Sequence, residues 1–233
     1  WLAWLREQLP GPLRVAAPLA LGKPHRLLNA LYAHCKDNPG ASLQLYTALS
    51  LNPPQVHGDG LRARFMRPFA ERHFGTDFPR LAYADAMAED TLPAHIRIEE
   101  FYLQSGTLLD SSQAQRACTS LNYNQVAGVV AQRAPNLLVQ KVAVRQGQAG
   151  YSLSCNNDLT LDLLDVLHRR GQPRPLLVAE VDPQLPWLGG SAQVPADMFD
   201  AVITPPAPHP RLFALPRQPV TDADHAIGLY AST

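Results

Sequence analysis

The sequence predicts an α/β protein with a mainly parallel sheet flanked by helices, and three observations predict it. Apolar runs of strand length alternate with amphipathic stretches of helical period along most of the 233 residues. The run Leu176–Val181, LLVAEV, is apolar almost throughout, as a strand covered on both faces of a parallel sheet must be. Between Leu13 and Leu49 a strand, a loop, a helix and a second strand follow one another, the order of a right-handed crossover unit.

Taken in order, Trp1–Gln8 reads as a short helix with Trp1, Trp4 and Leu5 on one face, broken by Pro10-Gly11-Pro12. Leu13–Ala17 is a strand and Pro18–Pro24 a loop. His25–Lys36 is an amphipathic helix with Leu27, Leu28, Leu31, Tyr32 and Cys35 on one stripe, ended by Asn38-Pro39-Gly40. Ser42–Leu49 is the next strand. Leu61–Phe74 is a helix that Pro68 is expected to bend or divide. Arg80–Ala88 is a short helix. Ile96–Tyr102 is a strand, with Glu99 and Glu100 on opposite faces. Ser105–Gln115 is a polar loop, Asn122–Ala134 a helix, Leu137–Val144 a strand and Tyr151–Ser154 a short extended piece. Asn156-Asn157-Asp158 offers an N-cap to a helix over Leu159–Arg170. Ala201–Ile203 is a last strand, and Thr204–Pro219, with six prolines, is an extended strap.

Residues 1–219 read as one domain that ends in the strap. Residues 220–233 read as the start of a helix leading into a further C-terminal domain: Thr221 is the N-cap, Asp222 and Asp224 lie in the first turn, and Ala223, Ile227 and Tyr230 recur at helical spacing. The first residue is Trp1, and the expectation is a piece of a longer polypeptide.

Composition excludes several functions. Lys plus Arg and Asp plus Glu are 20 each, so no net field draws the chain to nucleic acid or an anionic membrane. No apolar run approaches the ~18 residues of a membrane span. Cys35, Cys118 and Cys155 are far apart, which gives neither a disulfide framework nor metal-ligand spacing. Reduced thiols in the cytoplasm, with no metal, are the expectation. Proline, at 22 residues, is about twice its usual ~5% share and implies stiff loops.

The strand Leu176–Val181 carries one carboxylate, Glu180, near its carboxyl end, and Pro183, Pro186, Gly189 and Gly190 then force an irregular loop. Ligands of open α/β sheets bind just outside the carboxyl ends of strands, so this junction is a candidate pocket wall, against the plainer reading of a buried strand and a turn. Gly22-Lys23-Pro24 is a second strand-to-helix junction. A nucleotide P-loop needs a glycine five residues before Gly22 and Ser or Thr after Lys23. Ala17 and Pro24 stand there, which argues against a Walker site, while a helix start binding an anion or carbonyl and a tight connection without ligand both stand. Ser152–Asn157 crowds small polar residues before a helix, where capping competes with ligand contact. Cys155 as a nucleophile needs a histidine base that no signature supplies. Asn122 and Tyr123 belong to another polar cluster open to the same two readings. His57-Gly58-Asp59 lacks further metal ligands and reads as a loop.

Together these strings resemble a known family. LLVAEVDPQLPWLGGS resembles the strand and loop AEVN-x-Q-M-P-x-T-x-G-x-S of the acetyl-CoA hydrolase/4-hydroxybutyrate CoA-transferase family. Gly22-Lys23-Pro24 followed by Leu27–Leu31 resembles its G-x-P-x-x-L-x-x-A-L turn and helix, and Gly150–Ser154 with Asn156 resembles its H-G-Y-x-S-x-G segment. Order and spacing agree, best over residues 13–49 and 136–230. The resemblance implies a CoA-transferase-type fold, of which this chain would be the N-terminal half. It implies transfer of CoA between carboxylates, or acetyl-CoA hydrolysis in acetate metabolism, through a glutamyl-CoA intermediate.

The nucleophilic glutamate and a glycine-rich oxyanion loop would lie in the C-terminal half, leaving no catalytic residue in this chain. The implied cleft wall is Gly22, Lys23, Pro24, Asn122, Tyr123, Ser154, Asn156, Glu180, Gln184, Pro186, Trp187 and Gly189. The implied partners are coenzyme A as acyl-CoA, a small carboxylate and the chain's own C-terminal domain, with self-association also compatible. The chain departs from the pattern at Ala149 and Gln193, where histidine is common, at Asp182, where asparagine is usual, and at Trp187, which replaces a basic residue. These changes reshape an acyl or carboxylate pocket and motivate an alternative: a degenerate, non-catalytic domain that binds a CoA thioester or regulates a partner.

Overall fold

The computed structural model describes residues 1–56, 58–104, 106–157, 159–214 and 218–232. Its strands in chain order are β1 (Leu13–Ala16), β2 (Leu43–Thr47), β3 (Ile96–Glu100), β4 (Leu137–Val142), β5 (Tyr151–Ser152), β6 (Leu176–Val181), β7 (Gln193–Val194) and β8 (Ala201–Ile203). Six of them form one sheet in the order β3-β2-β1-β4-β6-β8, and β5 pairs with β7. Every pairing in the large sheet is parallel, and β5–β7 is antiparallel. The helices are α1 (Leu2–Gln8), α2 (His25–Asp37), α3 (Leu61–Phe74), α4 (Ala82–Ala88), α5 (Ser112–Ala117), α6 (Val126–Gln132), α7 (Thr160–Arg169) and α8 (Asp222–Ala231).

Two cores lie on the two faces of the sheet, and strand alternation sorts residues between them. Leu137, Val139 and Val178 face one core, with Leu5 of α1, Leu27, Leu28 and Leu31 of α2, and Tyr83 and Met87 of α4. Leu138, Leu177 and Ala179 face the other, with Ala131 of α6 and Leu163 and Leu167 of α7. Every residue of β4 is buried, which is why its sequence shows no polar–apolar alternation.

Chain order runs outward from β1 to β3 and then returns to β4 on the other side of β1. The direction of winding therefore reverses between β1 and β4, and a crevice opens at their carboxyl ends.

Several expectations need correction. The stretch read as a loop over Ser105–Gln115 contains the start of α5. Ser111 caps that helix by accepting from the Ala114 N–H, and Asp90 at the end of α4 accepts from Ser112 N, Gln113 N and both serine hydroxyls. The helix expected over Asn122–Ala134 begins as a 3-10 turn at Tyr123–Gln125 before α6. Pro68 does not divide α3, because it lies on the exposed side, where water can satisfy the carbonyl it leaves unbonded. The N-cap of α7 is Leu159, with no side-chain cap bond. Asp158 lies outside the described residues, as does His57.

Residues 204–214 form neither helix nor strand, as a proline-rich strap should. Arg26 Nη2 donates to Pro208 O at 3.1 Å, Ala214 N donates to His73 O at 3.3 Å, and Phe213 packs 4.9 Å from Phe74. Beyond it, Thr221 and Asp224 form a capping box that starts α8, all of which is exposed. Among the described residues, no helix is long and apolar enough to cross a membrane.

Candidate functional site

Three loops meet over the reversal point, one each after β1, β4 and β6. Gly22 ends a 3-10 turn after β1 and is buried. A Cβ there would lie 2.6 Å from Asn156 Cβ and 2.9 Å from Pro18 Cγ, so only glycine lets the first loop seat on the second. Hydroxyls join the second loop to the third. Ser152 Oγ donates to Leu188 O at 2.7 Å and accepts from Leu188 N at 3.2 Å. Ser154 Oγ donates to Pro186 O at 2.8 Å, and Asn157 Nδ2 donates to Ser191 Oγ at 3.2 Å. The small polar residues of Ser152–Asn157 thus bind a neighbouring loop and do not cap α7. From below, Gln140 of β4 donates to Asn156 O at 3.3 Å and accepts from Thr160 Oγ1 at 2.7 Å, fixing both the loop and the start of α7.

At the carboxyl ends of β4 and β6, beside the loop after β1, lie the charges. Glu180 Oε2 accepts from Leu27 N at 2.9 Å in the first turn of α2. The free N–H groups of that helix start, for which an anion site and a tight connection both stood, already face an anion of the chain itself. Burial raises the Glu180 pKa, opposed by the Leu27 N–H and by the charges of Lys141 and Arg26. Lys141, opposite Glu180 in the β4–β6 register, pairs with Asp182 at 3.1 Å, both side chains nearly buried. His25, the first residue of α2, is held neutral. Burial, then Lys141, then Lys23 bring its pKa down to about 3, while a backbone contact at Lys23 pulls the other way. Its Nδ1 is buried with no hydrogen-bond partner among the described residues, and its ring meets Phe78 edge-on at 5.4 Å. His25, Arg26, Lys141, Glu180 and Asp182 line one cleft of about 490 Å³, open mouth included, with Pro205 and His209–Leu212 of the strap at its rim.

Lys23 stands apart from this cleft. It has no exposed surface, and its ammonium donates to Pro18 O at 2.9 Å and to Ala48 O, tying the loops after β1 and β2 together. Pro24 is buried at the N-cap of α2. Asn122 and Tyr123 are exposed on the turn before α6, where Tyr123 meets Phe101 edge-on at 6.3 Å, away from the contacts that join the three loops. Gln184, Pro186 and Gly189 are exposed and Trp187 is half-buried. A larger cleft, about 1330 Å³ with its open mouth, lies beyond β2 and β3 and includes Ser50, Arg80, Asp85 and Glu100. There Ser50 Oγ bonds both Glu100 and, at 2.7 Å, Tyr83 Oη.

Sequence reasoning passed over His25, Arg26 and Lys141. The signal for Lys141 was present: a lysine inside the otherwise apolar LLVQKV is rare in a covered strand unless paired. Among the described residues, no group of three or more His, Cys, Asp or Glu is placed to hold a metal ion.

Comparison with solved structures decides what this frame is. RipA from Yersinia pestis superposes with a TM-score of 0.57 at 14% identity, over 90% of this chain and 42% of its own. A point variant of RipA gives 0.60 at 13% identity, over 98% of this chain and 45% of its own. The 4-hydroxybutyrate CoA-transferase from Porphyromonas gingivalis gives 0.50 at 14%, over 88% of this chain and 38% of its own. The fold is CoA-transferase-like. The chain spans about two-fifths of the length of these structures. No protein-family model matches the sequence, and no curated protein does either. At identities this low the likeness concerns architecture alone.

Proposed function

We propose that this chain is the N-terminal domain of an enzyme that transfers CoA between carboxylates or hydrolyses acetyl-CoA, and that it forms one wall of the acyl-CoA cleft. The observation that carries the reading is the meeting of the three motif-bearing loops after β1, β4 and β6, next to a charged cleft at the carboxyl ends of β4 and β6. In this role Arg26 and Lys141 favour an anionic group, and neutral His25 offers an unused ring nitrogen. The loop holding Trp187 bounds the acyl side. Both acids of the cleft are occupied, Glu180 by the start of α2 and Asp182 by Lys141, so the nucleophile comes from polypeptide beyond this chain. Coenzyme A is the cofactor, as substrate, and the cytoplasm the compartment.

The test is calorimetric titration of the chain with CoA and acetyl-CoA, with turnover assayed alongside. Binding that weakens in Arg26→Ala, without hydrolysis, is the expected result. Hydrolysis of acetyl-CoA by the chain alone would overturn the assignment of roles. A coding sequence that continues without a second α/β half bearing a glutamate and a glycine-rich turn would overturn the enzyme reading.

That same occupancy favours a second reading, a non-catalytic domain that binds CoA thioesters. Turnover by the chain together with its downstream polypeptide separates the two, since activity removes the binding-only reading.

A further inference from the structure

We propose that a second cavity, on the face of the sheet opposite the charged cleft, binds a short alkyl chain. Leu137, Val139 and Val178 face the first core, and strand alternation puts Lys141 and Glu180 on that same side. Leu138 faces the other way. There it borders a cavity of about 350 Å³, open mouth included, together with Ala16, Ala17, Ala127, Val130 and Leu163. The cavity lies at the carboxyl end of β1, where ligands of open α/β sheets bind.

The sequence makes the gap. In the parallel register Ala16 lies between Tyr46 of β2 and Leu138 of β4, so a methyl group sits between two large side chains. Helix α6 sets another small residue, Ala127, against the same space. Interiors are close-packed, and a space bordered by three alanines forgoes contacts that larger side chains would supply.

The lining suits an apolar guest. Among the described residues no charged side chain reaches it. Thr160 and Tyr46 carry its polar side-chain atoms, and both are engaged elsewhere. Thr160 Oγ1 donates to Gln140 Oε1 at 2.7 Å, and Tyr46 Oη donates to Gln44 Oε1 at 2.8 Å. The backbone beside them is engaged too: Ala17 N donates to Tyr46 O at 3.0 Å, and Pro18 O accepts from Lys23 Nζ and Thr47 Oγ1. Water finds few partners in such a space, whereas an alkyl chain gains burial and contact. Phe101, Val130 and Leu159 line the cavity and are partly exposed, so they form an apolar rim through which a chain enters tail-first and leaves a polar head in solvent. Tyr123, whose ring meets Phe101, stands beside that rim. A free aliphatic compound and an acyl thioester both carry such a tail. Only the second source rests on the acyl-CoA reading.

The test is a methyl-resolved NMR titration of the 233-residue chain with propan-1-ol, butan-1-ol and pentan-1-ol. Saturable shifts confined to the methyl groups around the cavity, those of Ala16, Ala17, Ala127 and Leu163 foremost, are expected. Each added methylene should tighten binding about fourfold. Ala127→Leu and Val130→Phe, made separately, fill the space and are expected to weaken pentan-1-ol binding at least about tenfold. Shifts that do not saturate, that spread over the surface, or that persist unchanged in both variants overturn the proposal. The wild-type titration decides the matter even where a variant does not fold. Calorimetry with CoA and butanoyl-CoA then separates the sources. Tighter binding of butanoyl-CoA, with the gain lost in Ala127→Leu, assigns the tail to the thioester. Equal binding of the two beside saturable pentan-1-ol binding assigns it to a free compound. Absence of any CoA binding removes the acyl-CoA reading, while the alkyl site still stands or falls by the alcohols.

Discussion

At the scale of single residues, Lys23 is the sharpest case. Burial lowers its pKa to about 7, with the Glu100 charge opposing. The unfolded chain therefore holds a proton on this lysine, between about pH 7 and 10.5, that the folded chain has released. Stability contributed by this residue must rise as pH rises through that window, on the order of 5 kcal/mol in all. Lys23→Met should remove the slope, at some cost from the two carbonyls left without a donor. Denaturant midpoints at several pH values between 7 and 9.5 check this, and parallel slopes for wild type and variant would refute it. The lysine was visible in Gly22-Lys23-Pro24, but its direction was not. A strand-to-helix turn reads the same whether its lysine reaches outward to a ligand or inward to the carbonyls of Pro18 and Ala48.

At the scale of elements, the loop over residues 183–190 has little regular structure of its own and is held largely from outside. Ser152 Oγ bonds both Leu188 N and Leu188 O and also accepts from Ser154 N at 3.1 Å. Ser152→Ala should cost about 1–3 kcal/mol, since these groups are left short of partners. It should also speed amide hydrogen exchange at Leu188 ahead of global unfolding; unchanged exchange there would mean the loop holds itself. The elements themselves were legible in proportion to length and pattern. Leu176–Val181 and Ala201–Ile203 match their strands residue for residue, and α2 extends its expected range by one residue. What escaped was short or depended on distant partners. β7 has two residues, too few for a period, and α5 begins where Asp90, some twenty positions away, organises its first turn.

At the scale of the whole molecule, the strap lines one side of the cleft at the carboxyl ends of β4 and β6. Its described part is tethered by the Arg26–Pro208 bond, the Ala214–His73 backbone bond, the contact of the His73 ring with Ala214 O, and the packing of Phe213 on Phe74 and His73. Phe213→Ala should leave the two cores intact and free the strap, so that trypsin cuts after Arg211 several-fold faster while the melting temperature moves little. An unchanged rate of cutting would show that the aromatic contact does not restrain it. The order of strands carried most of the site. The three loops are far apart in sequence, and their meeting follows from β1, β4 and β6 being neighbours. The charges beside them could not be inferred that way, because His25 and Lys141 take their environment from faces that only the assembled sheet brings together.

The Lys141–Asp182 pair has a consequence for descent. Changing Asp182 to asparagine strands a lysine charge between β4 and β6, and changing Lys141 alone strands a carboxylate. Either step costs about 3–5 kcal/mol, a large part of the margin by which a domain of this size stays folded. Glu180 is committed to α2 and is poorly placed to take over. The two positions should therefore be inherited as one unit, and a lineage that exchanges one should be found to have exchanged the other.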